Sequence, residues 1–120
     1  MQSDAMKIDL VMRDFCSEHS YFIMLLKHAV MKQNGISTES ATIDFPDWTD
    51  PDEYYHFEGV KIVKFDTVSD WEDVVLASQK EFLEICFYYI GEFKKAHPEV
   101  KYPLIHFAEE KIKKDLAAMQ

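Results

Sequence analysis

Glycine, proline and cysteine are scarce in this chain, with three, four and two residues among 120. Gly35, Gly59 and Gly91 stand one per region, so no glycine-rich loop can cradle a phosphate at a helix N-terminus, and nucleotide binding is excluded. So little glycine and proline also argues against long flexible segments. Cys16 and Cys86 both sit in apolar surroundings, which points to buried free thiols and away from a disulfide. No paired C-x-x-C, no H-E-x-x-H and no calcium-loop spacing occurs. No serine stands in a G-x-S-x-G elbow; Ser17, Ser20 and Ser78 fall at caps and turns. Cys16 and His19 form a C-x-x-H pattern that is too short to specify a catalytic pair. The longest apolar run, Tyr21 to Leu26, is far below the roughly 18 residues of a membrane span. Lys111, Lys113 and Lys114 are the sole basic cluster, and Glu109, Glu110 and Asp115 beside them make it a mixed helix surface. Met1-Gln2-Ser3-Asp4 lacks the basic-then-apolar order of a signal peptide. The expectations are a cytoplasmic protein with no nucleic-acid partner, no membrane partner, no cofactor, no metal and no catalysis of its own.

What the chain does have is negative charge in one place. Between Glu39 and Asp73 stand eleven acids against two bases, Lys61 and Lys64. The rest of the chain carries eleven of each, so the whole formal charge of −9 comes from this central segment. Such a concentration makes a local negative potential that attracts a basic partner and speeds encounter with it. Trp48, Tyr54, Tyr55, Phe57 and Trp71 lie among these acids, and aromatics are the usual anchors of protein interfaces. The alternatives stay open at this level: a solvated surface for the acids, and core packing for Trp48 and Trp71. His56 with Asp50 and Asp52 could gather a divalent ion, although surface histidines near acids are usually just solvated.

At 120 residues, 48% hydrophobic and 14% aromatic, the chain has the size and apolar content of one domain over 1–120. Residues 4–33 read as helical, with Met6, Leu10, Val11 and Phe15 at helical spacing. A break is expected near Glu18-His19, with Ser17 or Ser20 as N-cap. Phe22, Leu25, Leu26, Ala29 and Val30 then form one face of a second helix, and Asn34-Gly35 offers a stop. The period then changes. Ala41–Phe45, Tyr55–Phe65 and Trp71–Ala77 read as strands, with Tyr55, Phe57, Val63 and Phe65 sharing one parity. A turn-rich loop over 47–52 and a turn over 66–70 join them, and Gly59 suggests a bulge or tight bend. Ser78 and Glu81 fit a capping box opening a helix to about Ala96, which His97-Pro98 ends. Phe82, Ile85, Cys86, Tyr89, Ile90 and Phe93 form its apolar face, extended by Leu83 and Phe87. A last helix from Pro103 would turn Leu104, Phe107, Ala108 and Ile112 inward. The expected fold is α+β: N-terminal helices, a three-stranded antiparallel meander, then two C-terminal helices packed on the sheet.

The run Tyr55-His56-Phe57-Glu58-Gly59-Val60, a strand and turn, Glu81-Phe82, Cys86, a tyrosine-rich helix and His97-Pro98-Glu99 follow in that order over residues 41–100. This order resembles the small immunity proteins of bacterial contact-dependent growth inhibition (CDI), in particular those paired with ribonuclease toxins. The chain departs from the pattern after Glu99, with a full final helix, and its first 38 residues match nothing specific in it. The resemblance implies a cytoplasmic toxin inhibitor whose partner is the C-terminal domain of a cognate toxin, a basic nuclease. An acidic inhibitor can imitate the phosphate backbone that such a nuclease must hold. On this reading the partner-binding residues are Asp44, Asp47, Trp48, Asp50, Asp52, Glu53, Tyr54 and Glu58, with Asp70, Trp71, Glu72 and Asp73 as a second patch. The inhibitor is expected to act as a monomer. Two other classes compete: a non-catalytic adaptor or homodimer using an exposed strand edge, and a small ligand- or metal-binding enzyme using His28, His56 or His106.

Overall fold

The computed structural model of the protein describes residues 4–66 and 71–119, with 66 and 71–73 by backbone only. Helix α1 (Asp4–Cys16) is followed by a short α2 (His19–Met24), which runs directly into a π-helical turn over Leu25–Val30. Strands β1 (Ile36–Ser37), β2 (Ala41–Asp44), β3 (Val60–Asp66) and β4 (Trp71–Ala77) come next, with a 3-10 turn at Glu53–Tyr55 between β2 and β3. Helices α3 (Gln79–Ala96) and α4 (Pro103–Ala118) complete the chain. Among the described residues, no helix is long and apolar enough to cross a membrane.

The strands form an antiparallel sheet in the order β1-β2-β3-β4. The α+β class holds, but the three-stranded meander becomes a four-stranded sheet. The added strand, β1, pairs Ile36 with Ile43 and Ser37 with Thr42. Two residues are too few to show a period of two, which is why the sequence does not reveal it. The expected strand over Tyr55–Phe65 shortens to Val60–Asp66, because Glu53–Tyr55 close into a 3-10 turn and the rings of Tyr54 and Phe57 pack on Lys61. The expected turn at 66–70 falls largely outside the described residues.

One face of the sheet is the core. Ala41 and Ile43, Val60 and Ile62, and Val75 and Ala77 bury against the helices in one continuous cluster. Helix α1 lies across β3 and β4, while α4 packs chiefly on α3 and the π-helical turn. The expectation of two C-terminal helices packed on the sheet is corrected accordingly. The α1 stripe is Ile8, Val11, Met12 and Phe15, and Met6 points outward. On α4 the buried residues are Ile105, Ala108 and Ile112, with Phe107 exposed; on α3, Phe87 is also exposed. The second-helix face is as expected: Phe22, Leu25, Leu26, Ala29 and Val30 are all buried. Neither Ser17 nor Ser20 caps α2, whose N-cap is Glu18; Ser17 Oγ instead donates to Asp14 O at 2.8 Å. The π-helical turn ends at Val30 with Met31 as C-cap, and Gln33, just before the expected stop at Asn34-Gly35, takes a left-handed φ of 53°.

The Ser78 capping box is present in full. Ser78 Oγ accepts from Glu81 N–H, and the Glu81 carboxylate accepts from Ser78 N–H, both at 3.1 Å. These backbone and side-chain bonds hold the Glu81 carboxyl below its usual range. Ser78→Ala should cost about 1 kcal/mol of stability, read as a shift of the denaturant midpoint at unchanged slope. Cys16 and Cys86 are both free. Burial pushes the Cys16 thiol up to about 12, and burial followed by the proximity of Cys16 raises Cys86 as well. Thiols held this way carry almost no thiolate and are structural.

Candidate acidic interface

After β2, Pro46 and three aspartates shape the loop, each by accepting a bond from two residues ahead. Asp47 Oδ1 accepts from Thr49 N at 3.0 Å and from Thr49 Oγ1 at 2.5 Å. Asp50 Oδ1 accepts from Asp52 N at 2.8 Å, and Asp52 Oδ1 from Tyr54 N at 2.9 Å. These are the local side-chain turns that aspartate favours. The Thr49 hydroxyl, then the Thr49 amide, hold the Asp47 carboxyl below its ordinary value, so it is an anion at neutral pH. Asp47 N–H closes the loop on Tyr55 O at 2.9 Å.

The loop is tied down to the outer face of the sheet, opposite the core. Lys61, on β3, donates its ammonium to the Tyr54 carbonyl and lies over the Tyr54 ring at 3.8 Å and the Phe57 ring at 4.7 Å. Tyr54 in turn donates its hydroxyl to Asp44 Oδ2 at 2.7 Å. Burial first, and this bond to Asp44 second, push the Tyr54 phenol up to about 12, so it remains a donor throughout the physiological range. One of the two bases in the acidic segment is thereby consumed in holding the loop, leaving its charge turned inward.

The result is a cleft of about 880 Å³ between the loop, β1, β2 and the end of the π-helical turn. Asp44, Asp47 and Asp50 line it together with Tyr54 and Tyr55, and among the described residues no lysine or arginine does. His28 reaches it from the π-helical turn, a neighbour that sequence spacing could not supply. Trp48 is 64% exposed and stacks face to face on His56, with ring centroids 5.2 Å apart. His56 Nε2–H donates to Asp50 O at 2.6 Å and so fixes that platform. A cleft with three carboxylates and, among the described residues, no lysine or arginine, beside an open indole, is suited to a guanidinium or ammonium from a partner.

The structure thus brings together Asp44, Asp47, Asp50 and Tyr54, with Trp48 adjoining in the same loop. Asp52 and Glu53 are exposed in the 3-10 turn and its cap. Glu58 is exposed and lines a different hollow, of about 500 Å³, with Phe45, Pro46, Gly59 and Leu76. Of the second patch, Trp71, Glu72 and Asp73 lie on β4, and Asp70 falls outside the described residues. Sequence reasoning missed Val74 and Leu76, which are 50% and 57% exposed on β4. Among the described residues, no group of three or more His, Cys, Asp or Glu could hold a metal ion.

No curated protein matches the chain. A family model described as CDI immunity protein matches residues 6–106, wider at both ends than the motif order over 41–100 and taking in most of α1 and all of α2. With most of its length so matched, the chain belongs to the CDI immunity protein family.

Proposed function

We propose that this protein binds the C-terminal domain of its cognate CDI toxin one to one in the cytoplasm and blocks it without any catalysis of its own. The partner surface is the cleft and loop of Asp44, Asp47, Trp48, Asp50, Asp52, Glu53 and Tyr54, with Glu58 beside it. The β4 residues Trp71, Glu72 and Asp73, with Asp70, are its extension. The toxin is a basic nuclease, whose phosphate-holding surface the carboxylates imitate. The observation that carries this reading is the cleft itself: three carboxylates, no lysine or arginine among the described lining residues, and an exposed, stacked Trp48. Charge sets the rate of encounter, and the aromatics supply contact area.

Rescue of growth is the direct test. The toxin domain encoded beside this gene is expressed in a sensitive host with and without the protein. Purified components then give the mechanism. Replacing Asp47, Asp50 and Asp52 by Asn and Glu53 by Gln should lower the association rate roughly 10- to 100-fold at low ionic strength and flatten its salt dependence. If the neutralised variant binds as well as wild type at low salt, the acidic surface is not the interface.

A further inference from the structure

The loop packs on Lys61 of the outer sheet face, while Val74 and Leu76 of β4 on the same face stay exposed. Cross-strand neighbours lie on the same face, so Asp44, Lys61 and Leu76 form one row across β2, β3 and β4, and Thr42, Val63 and Val74 form the next. Over β2 and β3 these rows are roofed: Lys61 is under the Tyr54 and Phe57 rings, Phe57 is 7% exposed and Val63 fully buried. On β4, at the sheet edge, the roof stops. Val74 and Leu76 stand side by side in that open strip. Scattered exposed apolar residues need no explanation, but two aliphatic residues at strand spacing on an open sheet face are a patch.

We propose that Val74 and Leu76 are the apolar anchor of the toxin interface, packing against an aliphatic or aromatic side chain that the toxin presents beside its basic groups. This rests on the toxin-binding role proposed above and adds the residues that hold the complex once it has formed. Two observations say what covers the patch. Leu76 shares a hollow with Glu58 and Gly59, so the patch is continuous with the end of the acidic loop, and a partner seated on one meets the other. The occupant must also tolerate a dense negative field. A second copy of this chain would bring a second −9 charge to the same place, whereas a basic partner is drawn to it. Within one surface the two parts then do different jobs: exposed carboxylates govern association, and buried aliphatic contacts govern dissociation.

The test compares three proteins on the immobilised toxin domain over a range of salt: wild type, Val74→Thr/Leu76→Thr, and the Asp47, Asp50 and Asp52 to Asn variant. Threonine keeps strand propensity, and both sites are open to solvent, so the thermal midpoint should stay near wild type. The single Leu76→Thr protein serves if the double variant loses stability. The expected result is a dissociation rate raised on the order of 10- to 100-fold, with the association rate and its salt slope unchanged. A dissociation rate within about twofold of wild type, while the Asn variant still slows association, overturns the anchor and leaves the acidic interface standing. Failure of wild type to bind the toxin removes both. Sedimentation of wild type alone as a dimer that the threonine variant dissociates would assign the patch to self-association and overturn the proposal.

Discussion

Phe22→Ala is expected to destabilise the protein by about 3–5 kcal/mol, a large share of the stability of an ordinary domain. Helix α2 has six residues, far too few to persist on its own, and Phe22 is its single buried side chain. The ring is fully buried and stacks on Phe93 of α3, with centroids 3.8 Å apart and planes 13° from parallel. His19, at the start of α2, meets the same Phe93 edge-on at 5.3 Å. Truncating Phe22 leaves a cavity between α2 and α3 and releases the element that leads into the π-helical turn, from which His28 lines the acidic cleft. Urea unfolding should show the midpoint falling by roughly 1–5 M, given ordinary slopes of about 1–3 kcal/mol/M. Phe22→Leu, which keeps most of the volume, should lose no more than about 1.5 kcal/mol. A loss below about 1 kcal/mol for the alanine variant would show that the site collapses without a cavity, and that α2 is held by other contacts.

Features set by neighbours in sequence were legible. The capping box at Ser78 and Glu81, the end of α3 at His97 and the start of α4 at Pro103 depend on residues within four positions of each other. The same holds for the face Phe22, Leu25, Leu26, Ala29 and Val30, because helical periodicity is a local signal. The rest depended on partners far along the chain. Val74, Val75, Leu76 and Ala77 are all apolar, so no alternation told which pair would face the core; α1 lies on the side of Val75 and Ala77, and Val74 and Leu76 are left about half exposed on the other. Tyr54, Tyr55 and Phe57 have strand propensity, yet Lys61 draws two of these rings down as a loop. Phe107 looked like a core residue at helical spacing and is 59% exposed, because α4 rotates Ile105 inward instead. For the site, the excess of acid was plain in the sequence, and so was its crowding of aromatics. The gathering of Asp44 with Asp47 and Asp50 was not, since it needs the loop to fold back on β2.

Gly59→Ala should cost roughly 2–4 kcal/mol, opposite in sign to Gly91→Ala in the same protein. Gly59 has φ +86°, and a methyl group there would stand 2.1 Å from the Ala77 carbonyl oxygen and 3.2 Å from its carbon. The obstacle is backbone, at the end of β4 where Ser78 begins to cap α3, so no side-chain rotation can relieve it. Relief requires β3 and β4 to part at the Val60–Ala77 pair, beside the point where the acidic loop returns to the sheet. Gly91 lies within α3, and a methyl group there meets nothing within 4 Å, so alanine should stabilise by about 0.5–1 kcal/mol through helix propensity. Denaturant midpoints of the two variants measure both signs in one experiment. The functional consequence follows from position: if the loop is placed by its anchorage on the sheet, Gly59→Ala should weaken toxin binding even at temperatures where the variant remains folded. Gly91→Ala should leave binding unchanged. A Gly59→Ala protein that is folded, destabilised and still binds like wild type would mean that the loop acids act as a diffuse charge, and that the cleft geometry built by Lys61, Tyr54 and Asp44 contributes nothing to recognition.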